Sequence, residues 1–357
     1  MSTETAPSVL EIDLGAVVAN WRMLQERHPS GPVAGVLKAD GYGLGARQVA
    51  AALYAAGCRH FFVAWLDEAV AIRDVVPDAM VAVLGGLIPG TEDAFVAHDV
   101  VPVLGSLDEI DRWRGLGRAA ILQVDTGMAR LGLDAAALAV LAGDPARLGG
   151  MQIRYVMSHL VSAEMPADAI NRLQLERFAA ARAMLPGAPC SLANSSGIFL
   201  GSGFGSDLAR AGAALYGVNP TPGASNPMRH VVRLAVRVLA VRAVPVGGTV
   251  GYNGTWIAPR TSRIATAALG YADGFHRSLS GRATAYFDGR PVPLVGRVSM
   301  DLTTFDVTDH PDVQPGCWLE VLGSHLSVDD VAAAAGTTGY EVLTSLGRRF
   351  HRVYRTA

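Results

Sequence analysis

The sequence predicts an N-terminal (β/α)8 barrel of the TIM type followed by a mostly β C-terminal domain, and three observations carry that prediction. Between Val33 and Gly217, short apolar runs alternate with longer stretches of helical period, the pattern of βα units around a parallel sheet. About eight such runs can be counted, the number that closes a barrel. After Gly217 the texture changes to Gly- and Pro-punctuated, strand-like runs in which helical period largely disappears. A doubly wound open sheet also alternates strands and helices, but usually with fewer strands and a Gly-rich dinucleotide turn. No G-x-G-x-x-G follows a strand here.

Taken in order, Val9–Leu14 is a first apolar run and Val17–Arg27 follows it with helix-like spacing. The barrel runs are Val33–Lys38, His60–Trp65, Met80–Gly85, Val100–Leu104, Ala119–Val124, Ile153–His159, Ser191–Asn194 and Leu208–Tyr216. Between them, Ala46–Ala56, Asp67–Val75, Ala135–Leu141 and Ala169–Met184 are rich in Ala, Leu, Arg and Glu at i, i+3, i+4 spacing. Beyond the turn-forming stretch Asn219–Pro227 come Val231–Val246, Ile264–Leu269, Thr284–Phe287 and Trp318–Leu322, with helical period returning at Val328–Ala335. The expected division is a barrel over 14–224 and a β domain over 225–357, the strand at 8–13 being compatible with either.

The composition fits two packed domains working on a small molecule. At 357 residues, 50% hydrophobic and 17% charged, the chain can bury two cores. A formal net charge of −2 supplies no broad basic field for nucleic acid and no polybasic face for anionic lipid. Cys58, Cys190 and Cys317 are far apart, odd in number and without metal-type spacing, which argues for a reducing compartment and against a disulfide framework or a metal site. The start, Met1-Ser2-Thr3-Glu4-Thr5-Ala6-Pro7, lacks a basic stretch followed by an apolar one, and no segment reaches ~18 uninterrupted apolar residues. A cytoplasmic protein without membrane contact is expected.

Lys38 is the strongest chemical signal. It ends the run Val33-Ala34-Gly35-Val36-Leu37 and precedes the glycine-studded Ala39-Asp40-Gly41-Tyr42-Gly43-Leu44-Gly45. A lysine at the end of a buried strand either reaches water or has its pKa lowered, and the second makes its amine a nucleophile for carbonyl groups. In such a barrel the active site forms at the C-terminal strand ends. There the sequence places Lys38, the loop Asp125–Arg130, Ser158-His159, Asn194-Ser195-Ser196 and Arg210-Ala211-Gly212. A reactive amine beside hydroxyls and backbone N–H groups able to hold a phosphate is what pyridoxal 5′-phosphate requires.

At these residues the chain resembles the alanine racemase family, almost from end to end. The matching motifs are Val36-Leu37-Lys38-Ala39-Asp40-Gly41-Tyr42-Gly43, Val124-Asp125-Thr126-Gly127-Met128-Ala129-Arg130-Leu131-Gly132, Leu215-Tyr216-Gly217, Gly270-Tyr271-Ala272-Asp273-Gly274, Gly296-Arg297-Val298-Ser299-Met300-Asp301 and Arg352-Val353-Tyr354. The resemblance implies that Lys38 holds the cofactor as an internal aldimine and acts as one of two opposed acid–bases. Tyr252 is implied as the second, with His159 placed to help it ionise. It further implies Arg210 facing the pyridine nitrogen, where a permanent cation keeps that nitrogen unprotonated. Implied phosphate and cofactor contacts are Tyr42, Asn194, Ser195, the backbone N–H groups of Gly212 and Ala213, and Tyr354. Arg130 and the Met300 backbone match substrate-carboxylate contacts, and Tyr271, Asp301 and Glu164 match positions at the entrance. A head-to-tail homodimer is implied, with Tyr252, Tyr271, Met300 and Asp301 completing the partner's site. Read from the residues alone, Tyr252 would be an aromatic packing on the surface of the β domain.

The expected activity is interconversion of L- and D-alanine by a two-base mechanism, supplying D-alanine for peptidoglycan. The alternatives are a racemase of serine or of a broader range of amino acids, a related decarboxylase, which Arg210 disfavours, and a non-catalytic carrier of the cofactor. Three departures from the family pattern stand out. Gln123 occupies a position where many members carry a carbamylated lysine that braces the carboxylate-binding arginine, so its amide is expected to brace Arg130 instead. Ala211 and Ala213 replace Pro and Ile around Gly212. Gly41 replaces an alanine in the loop after Lys38.

Overall fold

The computed structural model describes residues 4–185 and 187–356; Met1–Thr3, part of the stretch read for a leader, lie outside them. The chain opens with strand β1 (Ser8–Asp13) and helix α1 (Leu14–Arg27), whose first turn is capped by the Asp13 carboxylate accepting from the Ala16 N–H at 2.8 Å. Then come β2 (Val33–Val36), the turn α2 (Lys38–Tyr42), α3 (Ala46–Ala55), β3 (His60–Val63), α4 (Leu66–Arg73), β4 (Met80–Val83), α5 (Glu92–Ala97), β5 (Val101–Leu104), α6 (Leu107–Arg114), β6 (Ala119–Gln123), α7 (Ala135–Gly143), β7 (Gln152–Met157), α8 (Ala169–Ala183), β8 (Cys190–Ser191) and β9 (Ala209–Ala211).

Strands β2 to β9 form one parallel sheet in the order β8-β7-β6-β5-β4-β3-β2-β9. A parallel bridge from Asn194, just beyond β8, to Arg210 in β9 draws its two edges together. The result is a nearly closed eight-stranded barrel. Its interior is packed by Ala34, Val36, Phe62, Ala82, Val101, Val103, Ile121, Met157 and Leu208. All strands point the same way, so their C-terminal ends open on one mouth.

The last two barrel strands are shorter than the apolar runs suggested. Only Cys190–Ser191 and Ala209–Ala211 pair, and residues 213–216 wind into a 3₁₀ turn. The backbone N–H groups of Gly212 and Ala214 turn instead to the Ser195 hydroxyl, which competes with any extension of the ladder.

The second region is a mixed sheet built on the long strand β10 (Val232–Val244). It is followed by the hairpin strands β11 (Thr249–Val250) and β12 (Trp256–Ile257), then β13 (Ser262–Ala267), β14 (Thr284–Phe287), β15 (Arg290–Pro293), β16 (Thr303–Asp306), β17 (Trp318–Leu322), helices α9 (Val328–Ala335) and α10 (Gly339–Ser345), and β18 (His351–Arg355). The main order is β15-β14-β17-β10-β1-β18, with β13 joined to β10 and β16 to β13. Thus β1 belongs to this sheet, antiparallel to β10 and parallel to β18. Helix α1 lies on the barrel, where the Trp21 indole donates to the Val33 carbonyl at 2.8 Å. The first two elements therefore tie the two regions together. Helix α10 was not anticipated; it packs on the α2 turn at the barrel mouth. Among the described residues no helix is long and apolar enough to cross a membrane.

Candidate active site

The barrel mouth holds a cavity of about 530 Å³ whose wall includes Lys38, Tyr42, Arg130, His159, Glu164, Asn194, Ser195, Arg210, Gly212 and Ala213. Ten of the residues singled out from the sequence thus meet in one space.

Lys38 does not end its strand, as the apolar run suggested; β2 stops at Val36 and Lys38 starts a left-handed turn. Ala39, Asp40, Gly41 and Tyr42 have φ of 55°, 54°, 63° and 54°. For the three non-glycine residues this costs about 1–2 kcal/mol each. Three contacts from outside the turn offset that strain. Glu68 accepts the Ala39 N–H at 2.6 Å, Asp40 accepts the Ala46 N–H at 2.9 Å, and Arg352 donates to the Gly43 carbonyl at 2.6 Å. The turn aims the Lys38 amine into the cavity. Burial and then the Arg130 guanidinium hold its pKa below the ordinary lysine value, with Glu68 opposing them.

Arg210 lies in β9, 4% exposed. Its Nη1 donates to the Ser191 carbonyl at 2.9 Å and hydroxyl at 2.6 Å, and its Nη2 donates to the Ser158 carbonyl at 2.5 Å and approaches His159 Nδ1 at 3.5 Å. Burial lowers its pKa to about 10, which leaves it protonated at neutral pH. A guanidinium only donates, so His159 Nδ1 accepts and the imidazole carries its proton on Nε2. Burial, then Arg210, Arg130 and Lys38, push the His159 pKa down to about 3, so the ring is neutral.

Opposite stands a cradle of backbone donors. Gly212 N–H and Ala214 N–H converge on the Ser195 hydroxyl at 2.9 and 3.3 Å. A Cβ on Gly212 would collide with the Tyr42 hydroxyl, so only glycine lets the chain pass there. The Tyr42 ring is stacked on Tyr216 with centroids 4.7 Å apart, and the Tyr216 hydroxyl donates to the Val36 carbonyl at 3.0 Å. Burial pushes the Tyr42 phenol well above its usual pKa, so it is a donor rather than an anion.

An aldehyde-bearing phosphate ester fits this donor set: an amine with a lowered pKa, a hydroxyl with two converging N–H groups, and a buried cation. Lys38, Tyr42, Ser195, Gly212 and Arg210 are the residues that would hold pyridoxal 5′-phosphate. Among the described residues no cluster of His, Cys, Asp or Glu could hold a metal ion.

Several expected residues lie elsewhere. Tyr354 sits in β18 with its hydroxyl against Gly45 and does not line the cavity; Tyr340, at the start of α10, does, together with Glu341 and Thr344. Gln123 does not brace the Arg130 guanidinium. Its amide donates to the Leu131 carbonyl at 3.1 Å, because the loop folds back so that its backbone, not its arginine, faces β6. Tyr252, Tyr271 and Met300 are 65%, 43% and 54% exposed and lie outside the cavity. Their loops adjoin one another. Tyr271 and Ala272 N–H groups donate to the Ser299 and Met300 carbonyls at 3.0 and 2.9 Å, and Gly251 packs on Gly296 and Arg297. Asp301 is fixed by Arg349, which also binds Asp273.

The sequence reading passed over Glu68, Tyr340 and Gln174. The signal for Glu68 was its place three residues into α4, where a glutamate can reach back to N–H groups; it takes those of Ala64 and Trp65 at 2.7 and 3.2 Å.

The N-terminal domain profile of alanine racemase matches residues 12–220, and the C-terminal domain profile of alanine racemase matches residues 231–354. The chain is 56% identical to an alanine racemase of Acidiphilium cryptum over 97% of this chain and 98% of that one. It is 47% identical to a catabolic alanine racemase of Mesorhizobium japonicum over 99% and 95%. Its fold is similar to a crystal structure of alanine racemase from Bartonella henselae with covalently bound pyridoxal phosphate, at 40% identity and a TM-score of 0.95, covering 98% of this chain and all of that one. The chain belongs to the alanine racemase family.

Proposed function

We propose that this member of the alanine racemase family is a pyridoxal 5′-phosphate-dependent isomerase that interconverts L- and D-alanine. The single observation that carries the reading is the meeting of Lys38, Arg130, His159 and Arg210 in one cavity with the N–H cradle at Ser195. When bound, the cofactor accepts electron density from the substrate's α-carbon and so makes its proton removable.

The residues of the chain do the rest. Lys38 would carry the cofactor through its amine, and its lowered proton affinity favours Nζ as a base. Tyr42, Ser195, Tyr354 and the backbone N–H groups of Gly212 and Ala213 would hold the phosphate, with Asn194 and Tyr340 lining the wall beside them. Arg210 has both terminal nitrogens committed to the protein, so its Nε is the donor that would remain for the cofactor's ring nitrogen. Arg130 receives the substrate carboxylate through a charge-assisted pair, joined by the Met300 backbone.

Inversion at carbon needs a proton taken from one face and another delivered to the opposite face. Lys38 Nζ serves one face and Tyr252 Oη the other, each base in one direction and acid in the reverse. Tyr252 lies outside its own chain's cavity, so it reaches the reaction from a second copy of the chain in a head-to-tail homodimer. The exposed, adjoining loops of Tyr252, Tyr271, Met300 and Asp301 support that arrangement, and Glu164 borders the entrance from the barrel side. The His159 Nε2–H can donate to the phenolate form of Tyr252, and buried Arg210 supplies the positive field behind the ring.

D-Alanine for peptidoglycan is the product this reading assigns. The test is racemisation of L-alanine by the loaded protein in D₂O, with L-serine in parallel. Preferred formation of D-alanine with α-deuterium is the expected result; faster turnover of serine would move the assignment to a broader or different racemase.

A further inference from the structure

Gln174 is fully buried on the inner face of α8, alongside Asn171, Phe178 and Ala181. A glutamine there is unusual unless its amide is satisfied. Every polar atom of it is. Val161 N–H donates to Gln174 Oε1 at 2.8 Å, which fixes the orientation of the amide. Gln174 Nε2 then donates to the His159 carbonyl at 2.9 Å and to Thr126 Oγ1 at 3.0 Å.

This fixes the order of protons along the chain of bonds. Having accepted from Gln174, the Thr126 hydroxyl gives its own proton to Ser158 Oγ at 2.7 Å, and Ser158 gives its proton to the Val124 carbonyl at 2.8 Å. The Ser158 carbonyl in turn accepts from Arg210, and Arg177 donates to the Thr126 carbonyl at 3.1 Å. One amide therefore joins the near end of the loop carrying Arg130 to the strand end carrying His159. The far end of that loop is held separately by Gln123 at the Leu131 carbonyl.

We propose that Gln174 is a positioning residue for substrate-carboxylate binding: from behind the site it locks the Thr126–Arg130 loop to the His159–Val161 segment and so fixes where Arg130 presents its guanidinium. The proposal rests on the reading of Arg130 as the carboxylate contact. Only a side chain with two donors and one acceptor completes this wiring; a glutamate offers acceptors where two donors are needed. A half-satisfied buried network loses its unique geometry, and the loop above it loses its register.

The experiment compares wild-type holoenzyme with Gln174→Met, which keeps length but removes the polar atoms, and Thr126→Val, which keeps shape but removes the hydroxyl. Three quantities are read: KM and kcat for L- and D-alanine, and the dissociation constant of propionate, a carboxylate without an amine, followed by the cofactor's absorbance. In Gln174→Met, KM and the propionate constant are expected to rise together by roughly tenfold while kcat stays within about threefold. Thr126→Val is expected to shift both constants in the same direction, and the double variant is expected to be no worse than Gln174→Met alone. Should Gln174→Met not fold, Thr126→Val answers the question alone. A lower Tm with unchanged KM and unchanged propionate affinity would overturn the proposal, as would a loss confined to kcat. Failure of the wild type to turn over alanine would strike the assigned reaction instead, and the propionate titration would still decide the role of Gln174.

Discussion

Arg210 and Tyr252 mark the extremes of how this molecule holds a functional group. Arg210, 4% exposed, spends both terminal nitrogens on Ser191, Ser158 and His159, and its surroundings are wired down to the level of single protons. Tyr252, 65% exposed, follows a glycine at φ 76° on a short turn beyond β11 and lies outside the cavity. The barrel half of the site is thus assembled by folding alone, whereas the β-domain half would be brought to it only in the proposed head-to-tail dimer. A cofactor needs rigid donors before chemistry begins. A second acid–base that arrived from another chain, as proposed for Tyr252, would couple activity to assembly.

The largest effects should separate the halves. Lys38→Ala and Tyr252→Phe are each expected to lower racemisation by about 10²–10⁴-fold or more, since each removes one of the two proposed proton carriers. Only Lys38→Ala should also abolish covalent attachment of the cofactor, as read by mass after borohydride reduction. Mixing the two inactive variants under conditions that exchange subunits should restore activity, because one of the hybrid's sites then holds both Lys38 and Tyr252. No recovery despite demonstrated exchange would place Tyr252 in its own chain's site and erase the contrast.

Gly212→Ala probes the finished half alone. The added methyl collides with the hydroxyl of Tyr42, whose ring is pinned on Tyr216. Overpacking of this kind costs about 1–3 kcal/mol. The expected result is roughly 10–100-fold weaker uptake of the cofactor by the apo-protein, measured by titration. Unchanged affinity would mean that the cradle yields, and that the barrel half is less rigid than its bonding pattern implies.

How much of this was legible in the sequence follows the same division. The barrel announced itself because most of its strands are buried on both faces and read as apolar runs, β7 being the exception, and the polar interruptions are therefore conspicuous: Lys38, His159, Ser195 and Arg210 all line the cavity. What the sequence did not show was backbone conformation and long-range partnership. Nothing in Ala39-Asp40-Gly41-Tyr42 signals four successive left-handed residues, because three of the four side chains disfavour that region and only tertiary contacts impose it. Tyr340 and Glu341 sit in a short helix of the β domain that reaches back to the mouth, a placement without local signature. Gln174 reads as an ordinary helical polar residue until its buried face is known.

Acid should reveal the burial of His159. Its pKa is held near 3 in the folded protein and returns to about 6.5 on unfolding, so the unfolded chain binds the extra proton as pH falls below 6.5. Folding stability then decreases toward acid by up to about 1.4 kcal/mol per pH unit from this residue, a cost absent above 6.5. The Tm of wild type should drop more between pH 7 and pH 5 than that of His159→Asn. Parallel curves would show that the ring is not confined as described.

The smallest effect concerns the carboxylate behind Lys38. Glu68 binds the Ala39 N–H and is the negative charge that works against burial and Arg130 to raise the proton affinity of the lysine. In Glu68→Gln the shape remains, one amide oxygen can still accept an N–H, and the charge is gone. The Lys38 ammonium then loses its counterweight while Arg130 and the low-dielectric wall remain, so its pKa moves further down and a larger fraction is unprotonated at neutral pH. The folded-state pKa already lies below the unfolded one, so the lysine costs stability below its unfolded pKa and ceases to do so as pH rises through it. The variant widens that gap and should lose more stability at pH 7 than at pH 10. Labelling of Lys38 in the apo-protein by an amine-specific reagent at pH 7 should be a few-fold faster than in wild type, an increment set by one partly screened charge. Slower labelling would mean that the carboxylate acts mainly through the Ala39 N–H, and that without it the left-handed turn no longer presents the amine to the cavity.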